Sequence, residues 1–169
     1  MRIGIKGKKG ELQLSFGMIF STIIVIAILG VGFYVITNFI SLSRCTNIGL
    51  YYNSLKEEVN KAWEADSVQK LLTKDNLPKI PSGIEKICIG NLTQSYSGFV
   101  EVREELARFS GGGRNNFFFY PPEKACEMAA NRLEHIKTDR FFCVNVKNGG
   151  APLKLSKSSS DALVTISAG

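Results

Sequence analysis

The sequence predicts an α+β protein with an N-terminal transmembrane helix followed by a small, disulfide-stabilised domain. Three observations support this fold class. Residues 12–43 contain no Asp, Glu, Lys or Arg. All four cysteines come after this apolar segment. The last third of the chain alternates short apolar runs with turn residues, a pattern typical of antiparallel strands. We therefore expect an antiparallel sheet with one or two helices packed against it.

The transmembrane helix is predicted over residues 11–43. In its most apolar part, Gly17–Ile36, the only small polar residues are Ser21 and Thr22. A hydrocarbon core roughly 30 Å thick requires about 20 helical residues, so this run is long enough to cross it. The apolar region of a secretory signal is only about 7–15 residues long, which favours a membrane anchor here. The alternative is a buried core helix of a soluble domain.

Basic residues before the span predict its orientation. Residues 1–10 are basic and contain the four cations Arg2, Lys6, Lys8 and Lys9. Because positive charge is retained on the cytoplasmic side, we expect a cytoplasmic N-terminus and an extracytoplasmic domain over residues 44–169. The first 44 residues carry a net charge of +4 out of the formal +6. The rest of the chain is therefore nearly neutral, which argues against a nucleic-acid partner.

The cysteine pattern predicts two disulfides in the outer domain. An even number of cysteines beyond a membrane span is typical of an oxidising compartment. The separations of 43, 38 and 17 residues lack the close Cys pair of a zinc site, so no metal is expected. Three connectivities are possible, and we favour Cys126 with Cys143 and Cys45 with Cys88. Free buried thiols are the alternative.

The first element of the domain is predicted to be a helix over residues 50–72. Gly49 is expected to separate this helix from the transmembrane helix. The apolar side chains recur at helical spacing and predict one face that packs on a sheet. Tyr and Trp side chains at a membrane interface are the alternative interpretation. The residues of this face are Tyr52, Leu55, Val59, Ala62 and Trp63.

Two shorter helices and a set of strands follow. Helical patterns are predicted over Phe99–Phe109 and over Glu123–Lys137. The aromatic run Phe117–Tyr120 is interpreted as a buried strand rather than an exposed adhesive patch, because two prolines end it. Asn148-Gly149 predicts a tight turn between two antiparallel strands. The strands are expected in one sheet, near residues 84–92, 117–120, 141–147, 152–157 and 162–167.

No catalytic, cofactor-binding or metal-ligating set emerges from the sequence, so an enzyme is not predicted. His135 is the only histidine. A Cys–His135 pair would need a thiolate and an oxyanion site, which the sequence does not indicate. We therefore interpret His135 as structural. Asn91-Leu92-Thr93 matches the acceptor sequence for N-linked sugar, which makes Asn91 a glycosylation candidate.

The stretch KKGELQLSF, residues 8–16, resembles the processing region of archaeal type IV pilin-like precursors. In that family a prepilin-type peptidase of the membrane cuts after the glycine of a short basic leader. The resemblance implies cleavage between Gly10 and Glu11. Two positions differ from the family pattern: Glu11 replaces the usual Gln, and Ser15 replaces the acid often found at the fifth mature position. The stretches PSGI, ACEM and NRLEHI of the outer domain are also similar to uncharacterised archaeal membrane-anchored proteins.

The resemblance implies a structural or accessory subunit of a cell-surface filament. Its partners would be the membrane and, through the transmembrane helix, copies of itself or other pilin-like subunits. The first alternative is a membrane-anchored extracellular binding module that does not polymerise. The second is an anchored enzyme that uses a cysteine with His135.

Overall fold

The computed structural model describes residues 16–93, 98–110 and 114–169. The chain divides into two compact units, Met1–Ser41 and Leu42–Gly169, and the second starts two residues before the predicted domain. The described residues form an α+β fold with a long N-terminal apolar helix, antiparallel strands and two disulfides, which confirms this part of the predicted fold class. The predicted cleavage site at Gly10 and Glu11 lies outside the described residues.

The long helix α1 extends over Phe16–Glu64, and its first part belongs to the first unit. Every residue from Gly17 to Ser41 is exposed. Two threonine hydroxyls donate within the helix: Thr22 Oγ1 to the Met18 carbonyl at 2.8 Å and Thr37 Oγ1 to the Tyr34 carbonyl at 2.9 Å. Among the described residues this is the one helix that is long and apolar enough to cross a membrane, by length and composition. That property is compatible with a membrane anchor.

In the second unit, α1 buries one face in the domain. The prediction of a separate helix over residues 50–72 is wrong, because α1 continues through Gly49 and ends at Glu64. A glycine inside a helix costs about 1 kcal/mol, whereas burial of one large apolar side chain stabilises by about 1.5–3 kcal/mol. Packing on both sides of Gly49 therefore outweighs its low helix propensity. The buried residues of this face are Ile48, Tyr51, Leu55, Val59 and Ala62.

The end of the predicted helix is a strand instead. Strand β1, Val68–Leu72, pairs antiparallel with residues 153–157, so its backbone groups are satisfied by a sheet ladder rather than by a helix. Its exposure alternates along the chain, with Leu71 exposed and Leu72 fully buried. This two-residue period is that of a strand with one face on the core.

Strand β1 and the seven other strands of the described residues form two four-stranded sheets, so the prediction of a single sheet is wrong. The first sheet has the order β1-β7-β8-β5, in which only the β5–β8 pair is parallel. The second sheet has the order β4-β3-β2-β6 and is entirely antiparallel. The bounds are β2 Lys86–Ile89, β3 Phe117–Tyr120, β4 Ala130–Asn131, β5 Ile136–Lys137, β6 Phe142–Asn145, β7 Leu153–Lys157 and β8 Val164–Ala168.

The turn at Asn148-Gly149 connects these two sheets instead of two paired strands. Both residues have the positive φ expected for a tight turn, 53° and 76°. Only one bridge, Lys147 to Gly150, closes it. Before the turn, the Val146 amide donates to the Glu85 carbonyl beside β2. Strand β6, which precedes the turn, therefore belongs to the second sheet, and β7, which follows the turn, belongs to the first.

The main core lies between α1 and the two sheets. Tyr51 of α1 meets Phe119 edge to face, with ring centroids 6.1 Å apart. Phe117 packs against Phe119 at 5.0 Å, with an angle of 87° between the rings. From the first sheet, apolar side chains of β1, β7 and β8 join the same cluster. They are Leu72, Leu153, Leu155, Val164 and Ile166.

A second, smaller core covers the opposite face of the second sheet. Helix α2, Val100–Phe109, buries Val102 and Leu106 against Phe118 and Phe141. Because both faces of the sheet are covered, three successive aromatic residues of β3 are fully buried. The interpretation of Phe117–Tyr120 as core is confirmed.

The predicted helix over Glu123–Lys137 is wrong. That segment contains two 3-10 turns, Pro122–Lys124 and Cys126–Met128, followed by β4 and β5. Cys126 and His135 have φ of 56° and 61°, which interrupts any helix because side chains there cost energy in the left-handed region. Cys126 is held by a disulfide to α1. Cross-linking and strand pairing therefore override the helical spacing of the sequence.

An ion pair fastens α1 to β1 and makes stability depend on pH. Glu58 accepts a hydrogen bond from Lys70 and another from Lys61 at 3.2 Å. The hydrogen bond from Lys70 is the main cause that lowers the pKa of Glu58 below its usual value. A carboxyl group whose pKa is lower in the folded state stabilises the fold above its unfolded pKa. That contribution is lost as the pH falls through the folded-state pKa.

We expect Glu58→Gln to lower the free energy of unfolding by about 0.5–1 kcal/mol at pH 7. The difference from the wild type should shrink as the pH falls from the unfolded-state pKa of a glutamate, about 4.3, through the lower folded-state pKa of Glu58. Urea denaturation at a series of pH values measures both effects. Glu57→Gln, at an exposed neighbouring position, is the control and should change stability by less than about 0.5 kcal/mol. A Glu58→Gln deficit that is independent of pH would contradict this account.

Candidate functional site

The four cysteines form two disulfides, Cys45–Cys126 and Cys88–Cys143. The predicted existence of two disulfides is confirmed, but the favoured pairing is wrong. Cys88 on β2 lies directly opposite Cys143 on β6 in the antiparallel register. Cys126, in its 3-10 turn, meets α1 at Cys45. The pairing follows from strand and helix contacts between residues that are 55 and 81 positions apart in sequence.

These bonds remove the chemistry required for a Cys–His135 enzyme. A nucleophilic cysteine acts as a thiolate, and a sulfur in a disulfide carries no such charge. All four cysteines of the chain are bonded in this way. Among the described residues there is also no group of three or more His, Cys, Asp or Glu side chains that would hold a metal ion.

His135 lies in an open cleft of about 580 Å³ on the domain surface. Trp63, at the C-terminal end of α1, stacks on the imidazole with ring centroids 3.8 Å apart and an interplanar angle of 16°. The indole Nε1 donates to the Ala162 carbonyl at 3.1 Å, which fixes the ring. The cleft is lined by His135 together with Arg114, Asn116, residues 132–134 and Ile136.

Hydrogen bonds to backbone groups hold residues 132–135, which form one wall of this cleft, in place. Asn116 Nδ2 donates to the Leu133 carbonyl at 2.8 Å, and the Leu133 amide donates to Asn116 Oδ1 at 2.7 Å. Tyr52 Oη donates to the Arg132 carbonyl at 2.6 Å. Burial and the nearby charge of Glu134 raise the pKa of Tyr52, so this hydroxyl remains a donor at neutral pH. The Val164 amide donates to the His135 carbonyl at 2.8 Å.

The cleft presents charge of both signs to solvent. Arg114 and Arg132 are exposed, as is Glu134 between Leu133 and His135. Guanidinium groups bind carboxylates and phosphates through paired donors, so the arginines suit an anionic group of a partner. Lys137 and Asp161 form an ion pair at 2.6 Å near this region. That pair, with hydrogen bonds from Ser158, lowers the pKa of Asp161.

Sequence reasoning missed this cleft because its lining residues are brought together by hydrogen bonds of Asn116 with Asn131 and Leu133, which no sequence pattern indicates. Trp63 and His135 belong to α1 and to the turn before β5, and no sequence pattern relates them. The structural role predicted for His135 fits its stacked position. Asn91, the predicted glycosylation candidate, is exposed and lies two residues after the end of β2. Thr93 of the same acceptor sequence is also exposed.

The described residues thus combine a long helix, apolar in its first part, with an α+β domain that contains two disulfides. No protein-family model, curated protein or solved structure matches this chain. Its function is therefore inferred from its own residues.

Proposed function

We propose that this protein is a single-span, pilin-like surface protein that acts as a structural or accessory subunit of a cell-surface filament. Its N-terminus would be cytoplasmic and its domain extracytoplasmic. One observation carries the proposal: helix α1 is exposed and apolar in its first part, and in its second part it buries one face in the core of the domain. The same helix is thus available for insertion or assembly at one end and for folding at the other.

The exposed apolar side chains in the first part of α1 need an apolar environment that buries them away from water. Large side chains from Met18 to Leu42 are 41–74% exposed. Burial of one such side chain is favourable by about 1.5–3 kcal/mol, so this segment is strongly unfavourable in water. The apolar residues surround the helix on all sides, which is typical of a helix buried in lipid or among other helices. A membrane before assembly, and a helical bundle of subunits after it, would supply these two environments.

The disulfides support an extracytoplasmic domain. Structural disulfides persist in oxidising compartments and are rare in the cytoplasm. Both bonds lie beyond the apolar segment, while the basic leader lies before it. This arrangement agrees with the orientation inferred from charge.

The filament role rests on the resemblance at residues 8–16, and processing there is the first test. We expect the native protein to begin at Glu11 when its N-terminus is determined by mass spectrometry. Gly10→Val should block the cut and leave a chain that retains the basic leader. Gly7→Val is the matched control. Gly7 also follows a lysine in the same leader, but it does not lie at the cleavage site, so processing should remain intact. A wild-type chain that starts at Met1, or lacks only that methionine, would overturn pilin-type processing.

Assembly requires a second measurement. We expect negative-stain microscopy of sheared surface material to show filaments that contain this chain, identified by immunolabelling of the domain. A protein found only as membrane-embedded monomers would favour the alternative below.

A second candidate function is a membrane-anchored extracellular binding module that does not polymerise. Two observations favour it. Ser15 replaces the acid that pilin-like chains often have at that position. The cleft beside His135 offers the exposed guanidinium groups of Arg114 and Arg132 to an anionic partner. In this case the chain would be monomeric in the membrane and would bind its partner through the cleft.

A further inference from the structure

We propose that Asn91 carries an N-linked glycan, transferred from a lipid-linked sugar donor on the outer side of the membrane. This inference goes beyond the filament role, and it rests on the extracytoplasmic location of the domain. Asn91-Leu92-Thr93 is the only place in the sequence where Asn is followed, two residues later, by Ser or Thr. The middle residue is not proline, as the acceptor sequence requires.

The folded chain presents the two recognised side chains together. Asn91 and Thr93 are both exposed. Asn91 Oδ1 accepts hydrogen bonds from the Thr93 amide at 2.9 Å and from Thr93 Oγ1 at 2.8 Å. An amide oxygen has two lone pairs, and both are used here. The side chain of Asn91 is thereby held in one orientation, next to the threonine hydroxyl that the transferase must recognise.

Contacts on either side of Asn91 attach the sequon to the domain without covering it. The Gly90 amide donates to the Asn116 carbonyl at 2.9 Å, and Gly90 is buried with a φ of 125°. A Cβ at this position would lie 2.7 Å from the Phe141 Cα, so the backbone here passes close to the core. Leu92 packs against the second core, and its carbonyl accepts from Arg103 Nη2 at 2.6 Å. A sugar on Asn91 therefore needs no displacement of buried groups.

Other exposed asparagines provide a contrast within the same domain. Asn53 and Asn145 are exposed, but the second residue after each is Leu55 and Lys147. Neither offers a hydroxyl to the transferase. Exposure alone would modify several asparagines, whereas the sequon requirement selects Asn91.

The transfer balances without any oxidant or reductant. The Asn91 Nδ2 atom forms a bond to C1 of the first sugar as the bond from C1 to the lipid phosphate oxygen breaks. The lipid phosphate leaves with the electron pair of that bond, and one amide proton passes to a base. The co-reactant is a polyprenyl phosphate or diphosphate that carries the sugar, and a membrane transferase supplies the catalysis.

Intact mass spectrometry of the full chain, purified from its own host's membranes, tests the proposal. We expect a wild-type mass above that of the polypeptide by the mass of a sugar chain, located by peptide mapping at Asn91. Asn91→Gln and Thr93→Ala should lose the added mass completely. Thr93→Ser should retain it, because the hydroxyl is kept. Asn145→Gln is the matched control at an exposed asparagine outside the sequon and should retain the full added mass.

Labelling of the same cells with a membrane-impermeant, lysine-reactive reagent separates the two proposals. An unmodified wild-type chain whose domain lysines are labelled would overturn glycosylation and leave the surface location standing. An unmodified chain whose domain lysines are protected in intact cells, yet labelled after lysis, would overturn both the glycosylation of Asn91 and the extracytoplasmic location of the domain. An added mass that persists in Asn91→Gln would overturn the assignment to this residue. Formation of both disulfides in each variant, checked by non-reducing peptide mapping, shows that loss of sugar does not reflect misfolding.

Discussion

Replacement of both Cys45 and Cys126 by serine is expected to lower the free energy of unfolding by about 4 kcal/mol. The bond links residues 81 positions apart, and a closed loop of that size removes much conformational entropy from the unfolded chain. It also attaches α1 to the turn before β4, which contains little regular structure of its own. Urea denaturation of the full chain in detergent micelles measures the effect. Fluorescence of Trp63, the only tryptophan, reports on unfolding because its ring stacks on His135.

The double substitution is preferred to a single one because it leaves no unpaired thiol at this site to form a new disulfide. Asn47→Ser, at an exposed position two residues after Cys45, is the matched control. It should shift stability by less than about 0.5 kcal/mol. A double variant within that same margin of the wild type would show that the Cys45–Cys126 bond does not stabilise the domain.

Phe119→Ala is expected to cost about 3–5 kcal/mol of stability, the range for deletion of a fully buried phenylalanine side chain. Phe119 is 0% exposed and contacts Tyr51 of α1 and Phe117 of its own strand. Its removal would leave a cavity between α1 and the second sheet. Because protein interiors are close-packed, neither the helix nor the sheet can move easily to fill that cavity. The urea midpoint, with the denaturant slope checked for constancy, measures the loss.

Phe109→Ala makes the same chemical change at the end of α2, where the side chain is 50% exposed. We expect this control to change stability by less than about 1 kcal/mol, since no large cavity forms. Equal effects of the two substitutions would contradict the assignment of the main core to the space between α1 and the sheets.

Local features of the fold could be predicted from the sequence. The long apolar helix follows from a charge-free run of residues, and the turn at Asn148-Gly149 follows from the positive φ that these residues tolerate. The burial of Phe117, Phe118 and Phe119 agrees with the aromatic content of the run Phe117–Tyr120 and with the prolines that end it. In each case the determining interactions lie within a few residues of one another.

Non-local features could not be predicted in this way. Cys88 pairs with Cys143 because β2 and β6 are neighbours in the second sheet, and strand order depends on the whole chain. The continuation of α1 through Gly49 depends on tertiary packing that outweighs local propensity. The stack of Trp63 on His135, one of the residues that line the candidate cleft, joins two residues whose spacing in the sequence carries no signal.

The two disulfides interleave along the chain, because Cys88 lies between Cys45 and Cys126, whereas its partner Cys143 lies beyond them. Both bonds therefore span the interval between residues 88 and 126. A single peptide-bond cut anywhere between these positions would therefore leave two fragments connected by both covalent links. The N-terminal fragment keeps the apolar helix, so the C-terminal fragment would remain linked to that helix until the disulfides are reduced. Protease damage in this interval would go undetected on a non-reducing gel and would appear as two bands only after reduction.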